Sequence, residues 1–206
     1  MRERADHFAS LEQQAHAARL GMWIFLASEL LLFAGLFALF TAYRLHHPQG
    51  FADAVTHNTK TIGSINTGIL LFSSYLAASA VHSVRSGRGT RGALLALGTI
   101  ALGGVFLVLK FHEYALHFAE GITPGGRGDF YVAHPGMREF WNLYYVMTGI
   151  HALHVTAGMV LLGSTIFGML SGRISPRMPQ RIELAAIYWH LVDAVWIFLW
   201  PLFYLA

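Results

Sequence analysis

Cysteine is absent from the 206 residues, which excludes disulfides, thiolate metal centres and cysteine-attached haem together. Charge is scarce as well. Only 12% of residues are Asp, Glu, Lys or Arg, against 55% hydrophobic, whereas soluble domains carry about a quarter charged. Proline occurs inside the apolar stretches only at Pro201, near the end of the last. Repeats and low-complexity tracts are missing, and no alternating ten-residue pattern of a membrane β-barrel is present.

What remains is five apolar runs, at 21–43, 64–84, 92–109, 143–170 and 185–205. Each approaches or exceeds the roughly 20 residues a helix needs to cross ~30 Å of hydrocarbon. The chain therefore reads as an all-α polytopic membrane protein. A polar tail over 1–20, too polar for a signal peptide, leads into one five-helix transmembrane bundle over 21–206. The third span is the shortest, and the fourth is long enough to tilt or project. Short connections make spans two and three, and spans four and five, antiparallel neighbours. The longest connection, "EGITPGGRGDFYVAHPGMREF", carries Pro124, Gly125, Gly126 and Pro135 and is not helical throughout. Phe140, Trp141, Tyr144, Tyr145, Tyr188 and Trp189 read as an aromatic belt at the membrane–water boundary.

The formal charge of +3 is divided among loops, which argues against a nucleic-acid surface. Arg2, Arg4, Arg19, Arg85, Arg88, Arg91, Arg173, Arg177 and Arg181 fall on one side. Arg44, Lys60, Lys110, Arg127 and Arg138 fall on the other, with Glu113 among the acids there. The excess of nine over five places the N-terminus in the cytoplasm and the C-terminus outside.

A few polar residues lie within the spans. Glu29, in "WIFLASELLLF", sits roughly 4–5 Å from the midplane at 1.5 Å per residue. A carboxylate there has to be protonated, paired or facing water. His151 and His154 in span four, and His190 and Asp193 in span five, are each three apart and so share a helix face. Metal or haem ligation is one reading, a proton relay in a transporter another. Di-iron bundles use Glu-x-x-His pairs on facing helices, and transporters show internal repeats and paired broken helices; neither pattern is present. The simpler reading is hydrogen bonding between helices, which lipid cannot replace. Depth brings His154 and His190 near Glu29; His154, nearer the midplane than His151, is the favoured partner although depth alone ranks His190 at least as high, and Asp193 is expected to find a histidine or a neighbouring subunit. Ser28, Gly35 and Ala38 leave a close-approach face for another helix.

Three motifs, "MWIFLASELLLFAGLFALFTAYR", "MTGIHALHVTAGM" and "YWHLVDAVWIFLWPLFYL", together resemble subunit III of the haem–copper respiratory oxidases. "KFHEY", ending at Tyr114, resembles that family's Glu-Tyr. The signature positions are Glu29, Glu113, His151, His154, Trp189, His190, Asp193 and Trp196. The resemblance implies an accessory subunit with no catalytic residue, metal or cofactor of its own. Haem and copper then sit in partner subunits I and II, in a bacterial cytoplasmic membrane. It further implies phospholipid contact, support of complex stability, and support of proton uptake by the catalytic subunit. Two additional N-terminal helices of the larger family form are missing, so that form's lipid contacts do not carry over. Five-helix forms occur in cytochrome c oxidases, which is the expected assignment, in quinol oxidases, and in relatives associated with nitric oxide reductase.

Overall fold

The computed structural model describes residues 9–171 and 180–205. Arg2, Arg4, Arg173 and Arg177, assigned above to one side of the membrane, lie outside the described residues. Among the described residues, five helices are long and apolar enough to cross a membrane: α1 (Leu11–His46), α3 (Lys60–Arg85), α4 (Gly89–Ala119), α6 (Arg138–Leu170) and α7 (Gln180–Tyr204). Two short helices, α2 (Pro48–Val55) and α5 (Asp129–Ala133), and a 3-10 turn at Pro135–Met137 fill the connections at one end of the bundle. No strand occurs among the described residues.

Local sequence sets the boundaries. Ser10 caps α1 by accepting from the Gln13 amide at 3.0 Å, and Gln13 Oε1 accepts from Ala9 N at 2.7 Å, a reciprocal cap displaced by one residue from the capping box. Half of the polar tail is thus helical and continuous with the first span. Pro48 opens α2, where its missing N–H has no helical partner to lose. Gly87, with φ +76°, makes the tight turn between α3 and α4, a backbone state L side chains resist.

α3, α4, α6 and α7 form a four-helix core, with α3 beside α4 and α7, and α6 beside α4 and α7. The adjacencies expected of the short connections are present. α1 packs on α6 and α7 from outside and is the least buried of the five, whereas α7 is the most. Trp189 is the wedge of this core. A Cβ on Gly158 would lie 2.7 Å from one edge of its ring, and a Cβ on Gly103 2.7 Å from another. Only glycine admits the indole at both places.

Two expectations need correction. The third span does not end at Leu109, because α4 continues to Ala119 and takes Lys110, Glu113 and His117 into the protein interior. Lys110 is therefore no loop charge, and four of the five basic residues on that side remain at the surface: Arg44, Lys60, Arg127 and Arg138. The proposed aromatic belt is also core. Phe140, Trp141, Tyr144, Tyr145, Tyr188 and Trp189 are all buried, turned toward neighbouring helices and each other, as in the edge-on contact of Trp141 and Tyr144 at 5.3 Å. At this end α2 and the 3-10 turn close over the bundle with backbone touching backbone. A Cβ on Gly50 would collide with the Gly136 carbonyl oxygen.

Candidate functional site: two charged centres

The sequence-derived polar residues do not form one cluster. Glu29 and His154 meet. Glu29 Oε2 lies 2.7 Å from His154 Nε2, joining α1 to α6. The other ring nitrogen, Nδ1, is 2.8 Å from the Ile150 carbonyl, which orients the imidazole. Phe33 packs edge-on against it and Tyr188 stacks beside it. Both partners are partly exposed, at 16% and 18% of their side chains, so one flank of the pair faces outward from the bundle.

His151 takes another direction. Three residues along a helix differ by about 60° in azimuth. That suffices to send His154 toward α1 and His151 into the four-helix core. There His151 is fully buried, stacked on Trp196 at 5.2 Å and edge-on to Phe106 at 5.6 Å. His190 and Asp193 turn to α3 and do not bond each other. His190 Nδ1 lies 2.6 Å from the Ser74 hydroxyl. Asp193 is buried beside that serine, with the hydroxyl as its polar neighbour. Among the described residues no histidine bonds Asp193 directly; His190 instead reaches the same serine. The two signature tryptophans also bind α3. Trp189 Nε1 donates to Ser73 Oγ at 3.0 Å, and Trp196 Nε1 donates to Thr67 Oγ1 at 3.1 Å.

The second charged centre was not anticipated. Lys110 and Glu113 are 3.2 Å apart with only 2% of either side chain exposed. An ammonium has three protons to place, and all three have acceptors: Glu113 Oε2, Tyr144 OH at 2.8 Å and Tyr204 OH at 2.8 Å. Tyr204 OH in turn donates to Glu113. The Lys110 ammonium also stands over the Tyr144 ring, 4.4 Å from its centroid, a favourable cation–π placement. Tyr114 OH and Thr148 pair alongside. The available signal was spacing. Lys110, Glu113 and His117 fall at i, i+3 and i+7, one stripe of a helix, directly after an apolar run.

Such an arrangement ties helices to one another. Among the described residues no three His, Asp or Glu side chains converge as metal ligands do. The charged groups are spent on one another, α4 to α6 and α7, and α1 to α6.

Comparison with known proteins agrees in scale with this architecture. The family model described as cytochrome c oxidase subunit III matches residues 6–206. The quinol oxidase subunit 3 of Bacillus spizizenii is 30% identical over 98% of this chain and 97% of its own length. That of Bacillus subtilis is 29% identical with the same coverage. A probable quinol oxidase subunit 3 of Staphylococcus epidermidis is 27% identical over 98% of this chain and 94% of its own.

Proposed function

Since the chain belongs to the cytochrome c oxidase subunit III family, an accessory component of haem–copper oxidase complexes, we propose that its complex takes electrons from quinol. The relatives named quinol oxidase subunit 3 cover nearly the whole chain, and this favours quinol over the cytochrome c donor expected from the motifs. The observation that carries the accessory role is the use of charge. Lys110, Glu113, Glu29 and His154 bind one another across helices, and the chain contributes structure while partner subunits hold haem and copper.

The docking face for the catalytic subunit is α1. Its Ser28, Gly35 and Ala38 are exposed, nothing packs over Gly35, and Trp23, Ile24 and Leu31 lie uncovered beside them. Small residues in such a stripe permit close helix approach. An apolar groove of about 780 Å³ between α1 and α7, rimmed by Arg44, suits an acyl chain with an anionic headgroup. In a bacterial cytoplasmic membrane the end bearing α2 and α5 faces outside, because the basic excess lies at the other end.

The test is oxygen consumption by the complex purified in mild detergent. Quinol should sustain turnover and reduced cytochrome c should not. Preference for cytochrome c, with a thiolate-bridged copper signal from subunit II, overturns the donor assignment. Recovery of the chain only as a homo-oligomer overturns the accessory role. A reporter fused after Ala206 should be active only outside.

A further inference from the structure

The four-helix core contains polar side chains that its own residues leave unpaired. His151 and Asn66 are both fully buried. Among the described residues neither ring nitrogen of His151, and neither side-chain polar atom of Asn66, has a hydrogen-bond partner; the same holds for Nδ1 of buried His117. An imidazole always carries an N–H and a carboxamide carries two, and groups so placed in protein interiors are nearly always satisfied.

These residues follow one another inward from the end that bears α2 and α5. At the surface His57 Nδ1 lies 3.8 Å from Glu120, with 30% and 53% of the side chains exposed. His117 comes next, against Trp141 at 4.7 Å, and His57 packs on the same indole at 6.4 Å. Glu113 is one helical turn further along α4, followed by Lys110. The Lys110 ammonium is 5.3 Å from the Trp196 ring on which His151 stacks. Asn66 adjoins Thr67, the acceptor of Trp196 Nε1. It is also one turn from Gly63, against which the Tyr204 ring packs. Beyond Trp196 lie Asp193, turned to Ser74, and then the Trp189 wedge.

The chemistry of these positions selects the occupant. Imidazole and carboxamide each need a donor and an acceptor at once. A metal cation is opposed by the Lys110 ammonium, and an anion by Glu113, while the Lys110 donors are already in use. Water alone meets all of these requirements.

We propose that ordered water lines the core from His117 past the Lys110–Glu113 pair to Asn66 and His151, and exchanges with bulk water past His57 and Glu120. The interior of this subunit is then hydrated from one side of the membrane only, with the Trp189 ring between Gly103 and Gly158 as the seal. The buried ion pair is in proton contact with that side.

Water-edited solid-state NMR on the full chain in lipid nanodiscs, labelled at His, Asn and Trp, tests this. The His151 and Asn66 side chains should receive water magnetisation nearly as fast as His117 and several-fold faster than the Trp189 indole. His117→Phe should slow transfer to His151 several-fold while leaving that to His57 unchanged. Transfer to His151 and Asn66 as slow as to Trp189 in the unaltered chain overturns the proposal, and that measurement decides it even if His117→Phe fails to fold. Unchanged transfer in a folded His117→Phe chain overturns the route.

Discussion

The two charged centres place the same chemistry, a carboxylate against a nitrogen base, in opposite settings. Glu29 and His154 stand at the rim, one bond long, with a flank open to whatever covers α1. Lys110 and Glu113 stand in the middle of four helices, where every ammonium proton has an acceptor and a tyrosine closes the ring. Removing two charges from water costs several kcal/mol per ion, recovered only when remaining donors and lone pairs are also met. The core centre meets that condition by recruiting three helices. The rim pair, a carboxylate hydrogen-bonded to an imidazole, stays partly exposed.

The difference can be broken most severely at Lys110. Lys110→Met strands Glu113, and stability should fall by about 3–5 kcal/mol, seen as loss of the chain from the purified complex or a steep drop in its thermal midpoint in detergent. Lys110→Met with Glu113→Leu should recover most of that loss, because two apolar residues leave no buried charge. If the single variant is as stable as the parent, the core centre is not what holds α4 to α6 and α7.

Next comes the wedge beside it. Gly158→Val sets methyl groups against the Trp189 ring, where even a Cβ is too close. Overpacking of this kind costs about 1–3 kcal/mol, and indole fluorescence should report the displaced ring. Glu29→Gln is expected to do less to stability, about 1 kcal/mol or below, since an amide still hydrogen-bonds His154. Its effect should appear in sustained turnover of the complex at high pH; identical kinetics across pH would leave the rim pair a purely structural contact. Arg85→Ala should be smallest. Its 2.8 Å pair with Glu183 joins α3 to α7, but the arginine side chain is 60% exposed, and exposed pairs contribute about 0–1 kcal/mol. A larger loss by chemical denaturation would mean that this pair is covered in the assembled complex.

Depth along the helices was legible only coarsely in the sequence, and azimuth was not. Counting residues from span centres put His154 across the midplane from Glu29, within a turn or two, and ranked His190 at least as high; the favoured pair, Glu29 and His154, is the one that meets. The same counting put His190 and Asp193 within reach of that pair, yet α7 rotates them toward Ser74 on α3, a neighbour that hydropathy gives no reason to choose. The end of α4 was lost for a related reason. Lys110 follows an apolar run and looks like the water boundary, whereas its i, i+3, i+7 continuation through Glu113 and His117 marks a face turned inward. Aromatics at helix ends suggest lipid headgroups by composition alone. Here Trp141 and Tyr144 pack on His117 instead, and only contacts between helices reveal that.

The closure of the core by Tyr204 has a consequence for biosynthesis. Glu113 precedes Tyr204 by 91 residues in the chain, so α4 enters the membrane well before the phenol that completes its ion pair has been made. Until α7 arrives, the lysine lacks one acceptor and the glutamate its tyrosine donor. The intermediate is best kept near the insertion machinery or the membrane surface, where water can stand in. α7 thus completes the ion pair last in chain order, and a chain that fails to insert it retains an incompletely satisfied charge pair at the heart of the bundle.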